Sequence, residues 1–173
     1  MAFILMLHQG LRRGEVLLLP ADAIKSAFDA KLTGERCWIN VRENGYESSA
    51  QDPRYSKPSI KTKDSNRQIP TSETMARLIE SYACNYRGRP QHSFLLNSKS
   101  NVPLSTEALT KAFSVISNAL PVYVVKELES RTGKTTVTPH DLRHTCAVVR
   151  LHQLLQHGDS TDEALQKMRT FFG

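Results

Sequence analysis

Three segments of this sequence gather side chains able to hold and neutralise an anion. In "TPHDLRHT", Thr138 to Thr145, the residues His140, Arg143 and His144 stand at i, i+3 and i+4, so on a helix they share one face. The start of that helix also offers free backbone N–H groups and the positive end of the helix dipole, which suit an anion such as a phosphate. In "GLRRGE", Arg12 and Arg13 sit at a helix start beside Glu15. In "IKTKDSNR", Lys61, Lys63 and Arg67 cluster around the tip of an expected hairpin. A guanidinium is planar and permanently charged and can bind two oxygens at once, whereas an ammonium is a compact point charge. Taken singly, each segment also has an ordinary reading: a surface histidine with Arg143 paired to Asp141 or to a Glu elsewhere, a solvated basic turn, and an edge strand protected by charge.

The elements that must position these groups follow from the pattern of apolar residues. Met1 to His8 and Arg12 to Leu19 read as two short helices separated by "QGL" and closed by Pro20. "DAIKSAF" is expected to add a further helical turn. "CWINVRE" alternates as a half-buried strand and ends at the turn signal "NGY". The polar stretch between Asn44 and Ser59 has no periodicity and reads as an exposed loop. A hairpin follows, with one strand near Ile60 to Thr62, a turn in "KDSN" and a second strand near Arg67 to Ile69. These strands make a small antiparallel sheet.

Beyond Pro70 the period is helical. Thr71 or Ser72 caps "ETMARLIESYAC", "SFLLN" is a brief buried stretch, Ser105 and Thr106 open "TEALTKAFSVISNAL", and "VYVVKELESRTG" ends at Gly133. Thr138 starts the helix of the two histidines, with Pro139 at its first position and Asp141 placed to complete a capping box. Its stripe of Ala147, Val148, Leu151, Leu154 and Leu155, widened by Leu142, Cys146 and Val149, implies a largely buried helix whose charged start faces water or a ligand. "STDEALQKMRTFFG" is a last capped amphipathic helix.

At 173 residues, 39% apolar and 23% charged, the chain has the makeup of one globular domain rather than a disordered or fibrous protein. Its 23 Lys and Arg against 17 Asp and Glu leave a net charge of +6, which favours a polyanionic partner, nucleic acid first among them. Cys37, Cys84 and Cys146 are odd in number and unpaired in spacing, so neither a disulfide framework nor a zinc site is indicated and a reducing cytoplasm fits. The apolar opening "MAFILML" is too short to cross a bilayer.

In order along the chain, "GLRRGE", "KTKDSNRQIP" and "TPHDLRHT" resemble the tyrosine recombinase or phage integrase family, whose catalytic domains carry G-L-R-x-x-E, a hairpin lysine before R-x-x-P, and H-x-x-R-H. The resemblance covers essentially the whole chain. It implies a mainly helical (α+β) catalytic core with a small three-stranded antiparallel sheet, acting on double-stranded DNA in site-specific recombination or integration. Arg12 and Arg143 would then grip the non-bridging oxygens of the scissile phosphate as phosphorus becomes five-coordinate. His140 would position the phosphate and manage protons. Lys61, which fits the family's K-T pattern best, would protonate the departing 5′ oxygen, with Lys63 on the same strand face as the reserve. Glu15 would orient an arginine and His144 would support the site, while Arg13, Lys63 and Arg67 would contact DNA. The resemblance implies no metal ion and no cofactor, a nucleoid-associated protein, and a tetramer on DNA joined by swapped C-terminal segments.

One departure matters. Family members attack with a tyrosine that lies beyond H-x-x-R, forming a 3′-phosphotyrosyl intermediate. Here Tyr46, Tyr55, Tyr82, Tyr86 and Tyr123 all precede His140. The chain therefore reads as a C-terminally shortened catalytic domain that also lacks the family's N-terminal DNA-clamping domain. Such a chain is expected to be monomeric and to bind DNA without cutting it. The alternatives are a non-catalytic DNA-binding remnant of an integrase and, last, an unrelated nuclease with His140 as base, for which the sequence shows no metal-binding carboxylate cluster.

Overall fold

The computed structural model describes residues 1–31, 33–42, 52, 54, 56–60 and 66–173. Helix α1 (Ala2–Gln9) turns Leu5 and Met6 fully inward and stops at Gly10, whose φ of 61° lies in the left-handed region. A Cβ at Gly10 would stand 2.2 Å from the Phe172 ring, so the turn needs glycine for both space and backbone conformation. Helix α2 (Arg13–Leu18) follows directly and is buried from Glu15 to Leu18. Its first residues face a cleft while its last ones enter the core.

The expected helical turn in "DAIKSAF" is corrected. Residues Ile24–Asp29 form strand β1, antiparallel to β2 (Gly34–Val41), with Ile24 opposite Ile39 and Lys25 opposite Trp38. Ile, Ser and Phe are middling helix formers, and the ladder offered by β2 outweighs so weak a local preference. Strand β3 (Arg67–Thr71) pairs with the other edge of β2, Ile69 opposite Ile39, giving the order β1-β2-β3. The sheet thus has three antiparallel strands, but β1 is one of them. Ile60 belongs to no strand, and the remainder of the expected hairpin arm and its turn, 61–65, lie outside the described residues.

Alternation along β2 buries Cys37, Ile39 and Val41, and the last two join Ile69, Leu17, Leu19 and Ile79 in the core. Helix α3 (Glu73–Ser81), capped by the Ser72 side chain, continues as a π-helical turn over Tyr82–Tyr86. The segment Phe94 to Leu96 lies buried beside the end of α2, with the Leu95 N–H donating to the Leu19 carbonyl at 2.7 Å. Helix α4 (Thr106–Asn118), capped by Ser105, contributes Leu109 and Phe113, the latter stacked on Phe3 at 4.1 Å. Helix α5 (Val122–Thr132) ends at Gly133 in the left-handed conformation.

Helix α6 (Pro139–Gln156) packs chiefly against α1 and α7 (Thr161–Phe172). The expectation that α6 is largely buried is corrected, because only Cys146 is buried along it while Val148, Val149 and Leu155 are exposed. The apolar stripe is wider than the surface these two neighbours cover. The end of α7 clamps the covered side: the Arg150 guanidinium lies 3.5 Å from the Phe171 ring centroid, and that of Arg143 lies 4.9 Å from the Phe172 ring centroid. Among the described residues, no single helix is long and apolar enough to cross a membrane.

Candidate functional site

Arg12 and Arg13, near the start of the chain, and His140 and Arg143, near its end, line one cleft of about 610 Å³. Two helix starts build it. Arg12 caps the start of α2, and Thr138 caps that of α6 with the capping box that the sequence implies: the Asp141 carboxylate accepts from the Thr138 N–H at 2.8 Å and the Thr138 hydroxyl accepts from the Asp141 N–H at 3.4 Å. Asp141 also accepts from Lys134 at 2.7 Å. Burial would raise its carboxyl, but the hydrogen bonds from Lys134 and Thr138 outweigh burial and hold it at about 2. The first turn of α6 is thereby fixed, and with it the direction in which His140 and Arg143 leave the helix.

Beneath the cleft, Glu15 ties the arginines together. Its side chain is 1% exposed. It accepts a fork from Arg67, at 2.8 and 3.1 Å, and single bonds from the Arg12 guanidinium at 3.0 Å and the Arg12 N–H at 2.7 Å. Arg143 lies 3.8 Å from the same carboxylate. Burial alone would raise the Glu15 carboxyl, yet the hydrogen bonds and charges of Arg67 and then Arg12 keep it below the ordinary carboxylate range.

The same three arginines cap the end of α7. Arg67 donates to the Phe171 carbonyl at 2.8 Å, Arg143 to that of Phe172 at 2.9 Å, and Arg12 to that of Gly173 at 2.7 Å. Arg143 also donates to the Gly10 carbonyl at 2.5 Å, so α1, α2, α6 and α7 all converge on the cluster.

Among the described residues, three guanidinium groups share the Glu15 carboxylate, which leaves the site electropositive. Arg143 registers the excess: burial first, then the charges of Arg12 and Arg67, push its pKa down to about 10. An anion placed among these groups would relieve that repulsion. Above them the exposed rings of His140 and His144 meet edge-on with Nε2 atoms 2.7 Å apart. At that distance one nitrogen donates and the other accepts, so each ring orients the other.

The structure thus brings Arg12, Arg13, Glu15, His140 and Arg143 to one place, with His144 edge-on to His140. Arg67, expected at a DNA surface, is instead 7% exposed and faces inward onto Glu15. Lys61 and Lys63 lie outside the described residues. Sequence reasoning passed over Lys57, Ser59, Gly14 and Thr106, which line the same cleft. Lys57 and Ser59 fall in a polar stretch without periodicity, and no pattern there marks a site. Gly14 carried a weak signal as a glycine inside a helix: a Cβ there would stand 2.6 Å from the Ser59 carbonyl oxygen. Tyr82, Tyr86 and Tyr123 do not line the cleft, and Tyr46 and Tyr55 lie outside the described residues.

A family model described as the phage integrase family matches residues 1–168. A search of curated proteins finds no match. Among solved structures, a XerA recombinase is similar at 22% identity with a TM-score of 0.52, over 98% of this chain and 46% of that one. The Tn1549 transposon integrase, in complex with circular-intermediate DNA, is similar at 17% identity with a TM-score of 0.52, over 99% of this chain and 50% of that one. This chain therefore spans about half the length of these two proteins, and they share its fold.

Proposed function

From the premise that the chain belongs to the phage integrase family, we propose that its arginine-lined cleft holds a phosphate of double-stranded DNA and serves site-specific recombination by strand cleavage and rejoining. The observation that supports this most is the convergence of Arg12, His140 and Arg143, from opposite ends of the sequence, on one electropositive cleft. Arg12 and Arg143 grip the non-bridging oxygens and neutralise the charge that grows as a fifth oxygen approaches phosphorus. Both are held in place before any substrate arrives, Arg12 by Glu15 and Arg143 by the Gly10 and Phe172 carbonyls, so their electrostatic stabilisation requires little reorganisation. His140, oriented by His144, positions the phosphate and handles its protons.

In this reading a tyrosyl oxygen attacks phosphorus and loses its proton, the bond from phosphorus to the 5′ oxygen breaks, and Lys61 or Lys63 supplies the proton that the departing oxygen takes up. The covalent 3′-phosphotyrosyl linkage conserves the energy of the broken bond for rejoining. The tyrosine must come from outside the cleft-lining residues described here, and the chain then corresponds to part of a catalytic domain. A second reading, a DNA-binding remnant without cleavage, is favoured by one observation: Tyr82, Tyr86 and Tyr123 stand away from the cleft.

A nicked suicide duplex separates the two. With the nucleophilic segment present on the same polypeptide, the expected result is a covalent protein–DNA adduct through tyrosine, formed in the presence of a chelator. DNA binding without an adduct supports the remnant, and cleavage that requires added metal and leaves no adduct contradicts both.

A further inference from the structure

One arginine outside the cleft is more deeply enclosed than any within it. The Arg54 side chain is 2% exposed and every part of its guanidinium is engaged. Nε donates to both Asp52 oxygens at 2.9 Å and Nη2 to one of them at 2.5 Å. Nη1 donates to the Leu17 carbonyl of α2 at 3.0 Å and to the Leu104 carbonyl before α4 at 3.4 Å. The guanidinium lies 4.3 Å from the Phe94 ring centroid. Enclosing a charge so fully is costly even when it is paired, so the pair adds little to stability.

What this pair fixes is the segment that follows. Ser56, Lys57, Pro58 and Ser59 form part of the cleft's lining, and this segment is moored on α2 at both ends. Arg54 holds one end through Leu17, and the Ser59 carbonyl rests against Gly14, where no side chain could fit. Arg12 is the residue that caps the start of that same helix. Lys57, exposed at the cleft, is therefore built on the same support as the arginines, although a flexible four-carbon stem in a polar loop would otherwise have no fixed place.

We propose that Lys57 is a further phosphate-contacting residue of this cleft and that the buried Arg54 is its positioning residue. The proposal rests on the DNA reading above and adds a contact that the sequence motifs do not contain.

The test is a titration of a fluorescent duplex over a series of salt concentrations. Lys57→Gln should lower the slope of log Kobs against log salt by about 1, as expected for one lost phosphate contact. Arg54→Met should lower it equally, although Arg54 cannot reach solvent, and the double variant should lie no lower than either single one. If Arg54→Met fails to fold, the paired Asp52→Leu/Arg54→Met replaces both charges with apolar groups, and its slope answers the same question. An unchanged slope for Lys57→Gln overturns the contact. An unchanged slope for the Arg54 variant, or a double variant that loses about 2, overturns the positioning role. Failure of the underlying reading looks different, because then the wild type itself shows no salt dependence and Arg143→Ala changes nothing.

Discussion

Replacing Glu15 by Gln removes a negative charge on which Arg12 and Arg67 close and which Arg143 approaches. Shape and one acceptor oxygen survive, so the loss isolates charge. Each charge-assisted hydrogen bond contributes about 1.5–3 kcal/mol, and the Arg67 fork plus the Arg12 bond give Glu15 three of them from guanidinium groups. The bonds share partners and do not add, so the better guide is the roughly 3–5 kcal/mol typical of leaving a buried charge unpaired. Against a native stability of about 5–15 kcal/mol, that is a large fraction. Urea unfolding at pH 7 should show it, together with a melting temperature lower by roughly 6–20 °C.

The pH dependence has a fixed sign. The Glu15 carboxyl is held below its ordinary value, so its contribution is fully present above about 4.3 and is lost as pH falls through the folded value. Wild type and variant should therefore converge in acid. Sulfate should stabilise the variant more than the wild type, since it returns a negative charge to the three guanidinium groups. A loss under about 1 kcal/mol, which is what an ordinary surface ion pair would give, refutes the reasoning, as does a gap that persists in acid.

Asp141→Asn should weaken the start of α6 by about 1 kcal/mol at neutral pH, as lost caps do, and thermal unfolding reads it. Because this carboxyl is held at about 2 in the folded state, the gap from wild type should stay constant above about 4 and close as pH falls toward 2. Arg143→Ala, in a polypeptide carrying the nucleophilic tyrosine, should slow single-turnover cleavage by about 10²–10³, near 3 kcal/mol of transition-state stabilisation. Unchanged cleavage would remove Arg143 from the phosphate.

The cationic groups were legible because their chemistry restricts residue type and their helix starts restrict position. Thr138, Pro139 and Asp141 mark a helix start in any sequence, and the structure caps α6 with these residues. β1 was hidden for the opposite reason: "IKSAF" has little preference of its own, and its partner strand decides. The stripe on α6 revealed an apolar face but not how much of it is covered, since coverage depends on where α1 and α7 lie. Arg67 was misleading in another way. A cation beside an expected hairpin tip looks like a surface contact until Glu15, far away in sequence, is seen beneath it. Arg54 and Lys57 lie in a stretch with neither period nor motif, and only tertiary contacts distinguish an enclosed arginine from a solvated one.

Tungstate, a heavy tetrahedral dianion that anomalous scattering can locate in crystals of this protein, tests the cleft most directly. The account predicts a peak with oxygens about 3 Å from the guanidinium groups of Arg12 and Arg143 and from the His140 ring. An ordered tungstate elsewhere on the surface, with nothing bound among those three side chains, would contradict it.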